Sequence, residues 1–324
     1  MMKFGIISLG NHARNRAMPA IVGAGHVISD VLSRNPEKAR EAGRKYSARA
    51  HTDLDSFLAS DFDAAYISSP NFLHYEHAKR ALEAGKHVLL EKQMTLDSGE
   101  AATLVRLAAE RRLKLAVGFH LRFHPAVADM RELIRSGELG DITSITGMWA
   151  YNTLNRQYDQ DSIWWQEDAK AGGGSVMGTG VHVIDSLNFV LGKQPVSVSG
   201  IRLPEGRRIE LFEHITMRYG GVAGIAVSSR CNSGSSNSMT VYGSNGTAEA
   251  RGLFSTSVDA SLYRDGRKVR DYSGGNMYEV EIDGFATLVE GGESSIALGS
   301  DGELVVRIVN AAEKSDREGV IVSI

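Results

Sequence analysis

The sequence has a single cysteine, Cys231, which excludes an intramolecular disulfide and any metal site built from several cysteines. No run of about 18 apolar residues is uninterrupted, so no membrane-spanning helix is expected. The opening residues are apolar over too short a stretch for a signal peptide. We therefore expect a cytoplasmic protein without a membrane partner.

The sequence also lacks a large excess of positive or negative charge. It has 36 Lys and Arg residues and 39 Asp and Glu residues, which gives a net charge of −3. Surfaces that bind nucleic acid need concentrated Lys and Arg, so no nucleic-acid partner is expected. The chain is 42% hydrophobic and 23% charged, as in ordinary globular proteins, and its 324 residues have room for two cores.

Up to about residue 120, short apolar runs alternate with amphipathic stretches, which predicts an α/β domain over residues 1–120 with a parallel sheet. Asn71 and Asp97 are expected to cap helices, and Gly85 to end one. Strands are predicted at 3–8, 26–32, 63–69, 87–90 and 114–118, and helices at 13–24, 36–46, 71–84 and 97–112.

The pattern changes beyond residue 120, and residues 121–324 are predicted to form an α+β domain with a mainly antiparallel open sheet. Clusters of Gly, Ser and Asn, as at 232–237, are interpreted as turns between its strands. Strands are predicted at 142–152, 196–203, 214–219, 224–229, 238–242 and 248–251, and helices at 126–136, 280–290 and 302–315.

The first strand is followed by a turn with the spacing of a dinucleotide-binding fingerprint, in which Ser replaces the first Gly and Ala the third. Its middle glycine lets backbone approach a pyrophosphate, and the following helix supplies N–H donors. The predicted cofactor residues of this turn are Ser8, Leu9, Gly10, Asn11 and His12.

The end of the second predicted strand carries Ser33, Arg34 and Lys38, where an NAD site usually has Asp or Glu. A hydroxyl and two cations suit a ribose 2′-phosphate, because no carboxylate repels it. We interpret this as a preference for NADP, with NAD still possible. The alternative is a solvated loop with two surface cations.

The third predicted strand ends in a polar cluster, and ligands of open α/β sheets bind outside such strand ends. Ser69, Pro70, Asn71 and His74 are therefore predicted to contact the cofactor. Alternatively, Asn71 is only a helix cap and His74 only a residue of the first helical turn.

Glu91 and Lys92 follow the next strand. A partly desolvated lysine at this position could exchange a proton with a substrate hydroxyl during hydride transfer. The alternative is a surface lysine paired with Glu91.

A glycine run at 172–174 precedes an apolar helix with His182 and Asp185 three residues apart. On one helix face the carboxylate could orient the imidazole. The alternative is a buried core histidine. No further ligand stands at metal-binding spacing, so no metal site is expected.

Together these motifs resemble the family of glucose–fructose oxidoreductase, inositol dehydrogenase and MocA-type proteins. The resemblance implies NAD(P)-dependent oxidation or reduction of a sugar, polyol or related carbonyl, with a C-terminal sheet that often mediates oligomerisation, here as a dimer or tetramer. It implies that Lys92 and His182 are catalytic and that Asp185 is the acidic residue one turn later.

The resemblance also implies cofactor contacts by Trp164, Trp165, Tyr278, Glu91 and Lys92, and an NADP site like that of anhydrofructose reductase. Three positions depart from the family pattern: Ser8, Gln93 in place of proline, and Gly178 in place of an aspartate that helps to bind or activate the reacting hydroxyl.

Substrate contacts are predicted for aromatic and hydrogen-bonding side chains of the second domain and its junction. Besides the oxidoreductase, we keep two hypotheses open: a non-catalytic cofactor- and sugar-binding sensor, favoured by Gly178, and a reductase of a diketone or aromatic dihydrodiol, favoured by the Trp pair. The predicted substrate residues are His120, Arg122, Tyr151, Asn152 and His182, with Arg156 and Tyr158 as further candidates.

Overall fold

The computed structural model describes residues 1–155, 157–158 and 162–324. Its strands are β1 (Lys3–Ile7), β2 (Val27–Leu32), β3 (Arg49–His51), β4 (Ala64–Ile67), β5 (His87–Leu90), β6 (Leu115–Val117), β7 (Ile142–Asn152), β8 (Ser197–Leu203), β9 (Phe212–Tyr219), β10 (Val222–Ser229), β11 (Cys231–Gly243), β12 (Gly246–Arg251), β13 (Ala260–Arg264), β14 (Arg267–Tyr272), β15 (Ala297–Leu298) and β16 (Val322–Ser323). Its helices are α1 (Met18–Gly23), α2 (Pro36–Tyr46), α3 (Leu54–Leu58), α4 (His74–Glu83), α5 (Ser98–Glu110), α6 (Pro125–Arg135), α7 (Asp168–Ala171), α8 (Val181–Leu191), α9 (Met277–Val289) and α10 (Gly299–Glu318).

The chain forms two compact units. The first contains Met1–His120 and Tyr278–Glu303, and the second contains Leu121–Met277 and Leu304–Ile324. The segment Tyr278–Glu303, which was predicted to belong to the second domain, is part of the first unit.

Strands of the first unit follow the order β15-β6-β5-β4-β1-β2-β3. The pairs from β6 to β3 are all parallel, and β15 adds an antiparallel edge. Helices connect the parallel strands, which confirms the predicted α/β Rossmann architecture. The carboxyl ends of β1, β2, β4 and β5 therefore lie along one edge of the sheet.

The returning segment is held in the first unit by apolar packing and by the sheet ladder. Phe285 of α9 and Phe4 of β1 are both fully buried, with ring centroids 6.2 Å apart. Ala297 of β15 pairs with Val117 of β6. Neither partnership leaves a local pattern in the sequence, because each joins residues more than about 170 positions apart.

In the second unit the strand order is β14-β13-β12-β11-β7-β10-β9-β8-β16. Strands β7 and β10 run parallel, and the other neighbours run antiparallel. This confirms the predicted, mainly antiparallel C-terminal sheet. Helix α8 packs on one face of the sheet, where its Val183 meets Gly147 of β7.

Several local predictions differ from the structure. The edge strand β3 and helix α3 were not predicted, because the three residues of β3 are polar or small and at least partly exposed. Asn71 is not a cap: it is buried within the 3-10 turn Asn71–Leu73, which Pro70 precedes. Asp97 does cap α5, since its carboxylate accepts from the Gly99 and Glu100 amides.

The polar segment 232–237 lies within strand β11 and is not a turn. Backbone pairing with β7 at Cys231 and again from Ser236 onward fixes its two ends, and the register shifts between these residues. The hairpin of β13 and β14 was also not predicted, although Asp265 and Gly266 at its tip both have positive φ, as a two-residue hairpin turn requires. Among the described residues, no helix is long and apolar enough to cross a membrane.

Candidate functional site

The turn after β1 has the backbone geometry of a dinucleotide-binding loop. Ser8 adopts a φ of +75°, the left-handed conformation for which glycine is favoured, and its amide donates to the Leu32 carbonyl at 3.0 Å. A Cβ placed on Gly10 would meet nothing within 4 Å. The open space beside this backbone and the helical segment that begins at Ala13 fit a pyrophosphate.

The side chains of Leu9, Asn11 and His12 in this turn contact other parts of the protein. The Leu9 side chain is 3% exposed and belongs to the core, so only its backbone is available to a ligand. The Asn11 amide oxygen accepts from Arg14 Nη2 at 3.0 Å. His12 turns toward the end of β5, as described below.

At the end of β2, Ser33 is half-buried and Arg34 is exposed. The Ser33 hydroxyl accepts from the Asn35 amide at 3.2 Å, and Asn35 in turn caps α2 by accepting from the Glu37 and Lys38 amides. The Glu37 carboxylate forms an ion pair with Arg40. Neutralising this nearby acid keeps the loop favourable for an anion.

The end of β4 is joined to the loop after β5 through His74. This ring is buried, with Nδ1 2.6 Å from the Gln93 carbonyl oxygen and Nε2 2.7 Å from the Ser69 carbonyl oxygen. Burial lowers its pKa, against the two carbonyls that favour the protonated form. Its structural use here is to fix the two loops to each other.

A buried carboxylate, Glu91, lies at the end of β5. Its Oε1 accepts from the Tyr66 hydroxyl at 2.5 Å and lies 2.9 Å from His12 Nε2. Burial opposes ionisation of Glu91, but His12, Lys92 and Tyr66 outweigh it and lower its pKa to about 2. Burial and Glu91 in turn raise the pKa of Tyr66, which stays a donor.

Lys92 follows directly, and the Lys92–Gln93 peptide bond is cis. Burial lowers the pKa of Lys92, and the Glu91 carboxylate opposes this shift. A lysine whose basicity is reduced by its surroundings can serve as a proton acceptor and donor nearer to neutral pH.

Aromatic rings surround this cluster within the first unit. Tyr278 of α9 stacks on His120 with ring centroids 4.6 Å apart and meets His12 edge-on at 5.5 Å. Burial raises the pKa of Tyr278. The first unit thus brings together five of the predicted site residues: His12, Glu91, Lys92, His120 and Tyr278.

In the second unit, His182 is buried in α8, and its ring lies 5.6 Å from that of Trp149. A π-helical turn, Val176–Gly180, precedes α8. A Cβ added at Gly178 within that turn would have Tyr151 Oη as its nearest neighbour, at 4.0 Å. The position therefore has room for a larger side chain or for part of a ligand.

Asp185 forms a bidentate ion pair with Arg122. The Arg122 Nη2 and Nε atoms lie 2.6 and 3.0 Å from the two carboxylate oxygens, and both residues are buried. The Arg122 guanidinium also stacks on Phe189 at 4.7 Å. This pairing gives both predicted site residues a structural use; their contact with substrate stays a prediction.

The glycine run is required by the protein's own backbone. A Cβ on Gly174 would lie 1.8 Å from the Glu210 carbonyl oxygen. The buried Glu210 carboxylate accepts from the Gly174 and Val176 amides at 2.6 and 2.7 Å and from Arg202 at 2.9 Å. Glu210 therefore anchors the turn that leads into α8.

The remaining predicted residues of the second unit make local contacts. Trp164 and Trp165 are half-exposed and stack on each other at 4.4 Å. The Asn152 side chain accepts from the Leu154 amide. Tyr158 accepts from Arg230, and Arg156 lies outside the described residues. In the part of the chain that the structure describes, no group of three or more His, Cys, Asp or Glu is placed to hold a metal ion.

Three residues with partners in the segments described above were not predicted from the sequence: Tyr66, His77 and Glu210. A tyrosine within the otherwise aliphatic run of β4 was the available signal for Tyr66. His77 bonds to Ser69, and Glu210 accepts amides 34 to 36 positions away, so neither partnership follows from local spacing.

Both parts of the chain match known protein families. Residues 2–119 match a model described as an oxidoreductase family with an NAD-binding Rossmann fold, and residues 127–249 match the GFO/IDH/MocA C-terminal domain. The chain is 26% identical to a D-xylose 1-dehydrogenase (NADP(+)) of Haloferax volcanii over all of both chains. It is 27% identical to a 1,5-anhydro-D-fructose reductase of Ensifer adhaerens, over 93% of this chain and 92% of the relative.

Relatives at 32 to 34% identity are matched over only 55 to 59% of their own length. Among solved structures, aldose-aldose oxidoreductase from Caulobacter crescentus, in complex with glycerol, superimposes with a TM-score of 0.88. The two sequences are 24% identical, and the superposition covers all of this chain and 99% of the other. This likeness concerns the fold.

The ion pair of Asp185 yields a stability prediction. Asp185→Asn removes the charge that compensates the buried Arg122 guanidinium, so we expect the free energy of unfolding to fall by about 3–5 kcal/mol. Urea unfolding measures the change. The control is Lys268→Ala, which breaks an exposed pair with Asp271 and should leave the unfolding free energy nearly unchanged. An Asp185→Asn variant as stable as the wild type would contradict a structural role for the pair.

Proposed function

Because the chain belongs to the oxidoreductase family of glucose–fructose oxidoreductase, inositol dehydrogenase and MocA, we propose that it is an NADP-dependent dehydrogenase or reductase of a sugar, polyol or related carbonyl compound. The observation that carries this proposal is Lys92, a lysine of lowered pKa at the carboxyl end of a Rossmann strand, next to an ionised Glu91.

A nicotinamide dinucleotide supplies the hydride acceptor or donor. Its pyrophosphate would be held by the backbone of Ser8 to His12, where Gly10 leaves open space. Ser69, Pro70 and Asn71, at the end of β4, are proposed to line the same cofactor site, and Tyr278 to lie at its nicotinamide end.

Lys92 is proposed as the acid and base of the reaction. In the oxidation direction its neutral amine accepts the proton of the substrate hydroxyl, while the carbon-bound hydrogen leaves as hydride. In the reduction direction the ammonium returns that proton to the alkoxide. His182 is proposed to bind the substrate or assist this proton transfer. Asp185, on the same helix α8, is proposed to position His182.

Arg34, Ser33 and Lys38 support the choice of NADP. They combine an exposed guanidinium, a hydroxyl and an amine beside the capped end of α2, and the acid nearest in sequence, Glu37, is paired with Arg40. Such a site favours a 2′-phosphate over a ribose hydroxyl. We also keep the cytoplasmic location expected from the sequence as a prediction.

A homo-oligomer is proposed through the open face of the second unit's sheet. Helices α8 and α10 meet the face that carries Gly147 and Gly200. On the opposite face, Ile201, His214, Val227 and Met148 form a row across β8, β9, β10 and β7, and Ile201 is 54% exposed. A row in which three of the four side chains are apolar suits a second copy of the same face.

The catalytic proposal is tested by comparing Lys92→Met with the wild type, using the same substrates and cofactors for both. We expect kcat to fall at least about 100-fold, because a positioned acid–base group contributes this much, with cofactor affinity retained. In the wild type, the oxidation rate should rise with pH, with a midpoint below the ordinary lysine value of 10.5, since the base must be neutral. Initial rates across a carbohydrate panel measure both effects.

Lys45→Met, on the exposed surface of α2, is the matched control and should retain wild-type rates. An unchanged rate in Lys92→Met would overturn the role of Lys92. Cofactor binding without turnover of any sugar or polyol would favour the sensor, and turnover of diketones or dihydrodiols alone would favour the reductase suggested by the stacked Trp164 and Trp165.

Arg34→Gln tests the preference for NADP. We expect a loss of about 10- to 100-fold in NADPH affinity, the usual contribution of a hydrogen bond to a charged group, with NADH affinity unchanged. Fluorescence titration of the reduced cofactors measures both. The control is Arg44→Gln, at an exposed position of α2, which should change neither affinity. A wild type that binds NADH as tightly as NADPH would contradict the interpretation of this loop.

Val227→Lys tests the oligomer. An ammonium buried at Val227, between His214 and Met148, should dissociate the assembly to monomers, as measured by sedimentation velocity, with the circular dichroism spectrum retained. Val269→Lys, at a 57% exposed position of β14, should leave the assembly intact. A monomeric wild type, or an unaltered Val227→Lys assembly, would rule out this interface.

A further inference from the structure

In the second unit, the Arg202 guanidinium of β8 meets three carboxylates. Its Nη2 donates to Glu210 Oε2 at 2.9 Å and its Nε donates to Glu213 Oε2 at 3.2 Å. Glu313 of α10 lies 3.4 Å from its Nη1. Arg202, Glu210 and Glu213 are buried, and Glu313 is half-buried. One positive charge therefore faces three groups that are each negative when ionised.

Glu210 and Glu213 are held next to each other. Both accept from the same planar guanidinium, and Glu213 of β9 is the residue directly opposite Arg202 in the sheet ladder. Neighbouring buried carboxylates repel each other, so a single guanidinium does not stabilise both as anions. One proton on this pair makes the buried group of Arg202, Glu210 and Glu213 neutral overall.

Hydrogen bonding distinguishes the two carboxylates. Glu210 also accepts from the Gly174 and Val176 amides at 2.6 and 2.7 Å, and such donors stabilise an ionised carboxylate. Oε1 of Glu213 is buried, and no donor among the described residues reaches it. Burial and the charge of Glu210 raise the pKa of Glu213 well above the ordinary value of 4.5, against the effect of Arg202. The proton therefore belongs to Glu213.

The other elements packed around Glu213 bring no compensating charge. On β10, the residue opposite Glu213 is Ser228. From α10, Glu313 adds negative charge, and the Asp316 carboxylate accepts from the Arg202 amide at 3.0 Å. The glycine-run turn contributes uncharged donors. Of the charges that act most strongly on Glu213 within the described part of the chain, only Arg202 is positive.

We propose that Glu213 is a buried proton-binding site that holds the turn leading into α8 in place at neutral pH and releases it at alkaline pH. While Glu213 is a neutral acid, Arg202 compensates Glu210, which anchors the glycine run. Loss of the proton adds a second buried anion that competes for Arg202 and weakens this anchor. The proton site goes beyond the proposed function, and only its consequence for His182 on α8 rests on that function.

Thermodynamic linkage gives the size of the effect. In the unfolded chain Glu213 ionises around pH 4.5, whereas in the folded protein it keeps its proton to a higher pH. Between these two pH values the folded protein holds one more proton than the unfolded chain does. The contribution of this proton to stability is therefore fully present below pH 4.5 and is lost as the pH rises, by about tenfold in the unfolding equilibrium constant per pH unit.

The first experiment compares wild type with Glu213→Gln, which replaces the acid by a neutral amide of the same shape. Urea unfolding at pH 5.5 and pH 6.5 measures both unfolding equilibrium constants, and groups common to both proteins cancel in their ratio. We expect the ratio of wild type to variant to rise about tenfold between these pH values. Glu205→Gln, at an exposed position, should keep the wild-type pH dependence. Equal pH dependence in wild type and Glu213→Gln would overturn the proposal.

Carboxyl carbon NMR of protein labelled at the glutamate Cδ detects the proton directly. At pH 7 the wild type should show a protonated glutamic acid whose resonance is missing from Glu213→Gln and kept in Glu205→Gln. The measurement on the wild type does not depend on the folding of any variant. A wild-type spectrum at pH 7 in which every glutamate is ionised would overturn the proton site.

Hydrogen–deuterium exchange tests the connection to α8. Between pH 7 and pH 9, amide exchange over residues 172–191 should accelerate more in wild type than in Glu213→Gln, by up to about tenfold per pH unit. The intrinsic effect of pH on exchange is the same in both proteins. Equal exchange in the two would overturn the release of the turn. None of these readouts requires catalysis, so their failure would leave the proposed function unaffected.

Discussion

The buried carboxylate of Glu91 is the interaction on which the rest of the candidate site depends. An ion inside a protein is tolerated only when hydrogen bonds and charges replace its lost hydration. Here Tyr66 from β4, His12 from the turn after β1 and the neighbouring Lys92 do so. The same interaction therefore fixes three strand ends of the sheet relative to one another and sets the charge next to the proposed catalytic amine.

Much of this arrangement could be predicted from the sequence, because it follows from topology. Parallel strands place their carboxyl ends at one edge, so the positions of Gly10, Arg34, Ser69 and Lys92 along that edge follow once the strands are identified. The boundaries of β5, α2 and β7 were predicted to the residue. Contacts between residues distant in sequence were not predicted. Nothing in the local sequence indicates that the Tyr66 hydroxyl donates to Glu91 or that Glu210 accepts from the amides of the glycine run.

Asp185 illustrates why spacing alone is insufficient. A separation of three residues predicts that its carboxylate orients His182, and this role stays a prediction. Spacing did not indicate the second partner: Arg122, 63 positions away, donates to both carboxylate oxygens. A guanidinium in bidentate geometry binds a carboxylate strongly, and tertiary structure decides which guanidinium is in reach. The glycine run is a second case, since its close approach is to protein backbone at Glu210.

The return of the segment Tyr278–Glu303 to the first unit has a consequence for biosynthesis. When the ribosome has released the first 120 residues, β6 still lacks its neighbour β15, and Phe4 still lacks Phe285. The nascent Rossmann sheet must wait, with an open edge and with Phe4 not yet covered by Phe285, until residues 278–303 have emerged. The first unit is thus completed only after most of the second unit has been synthesised.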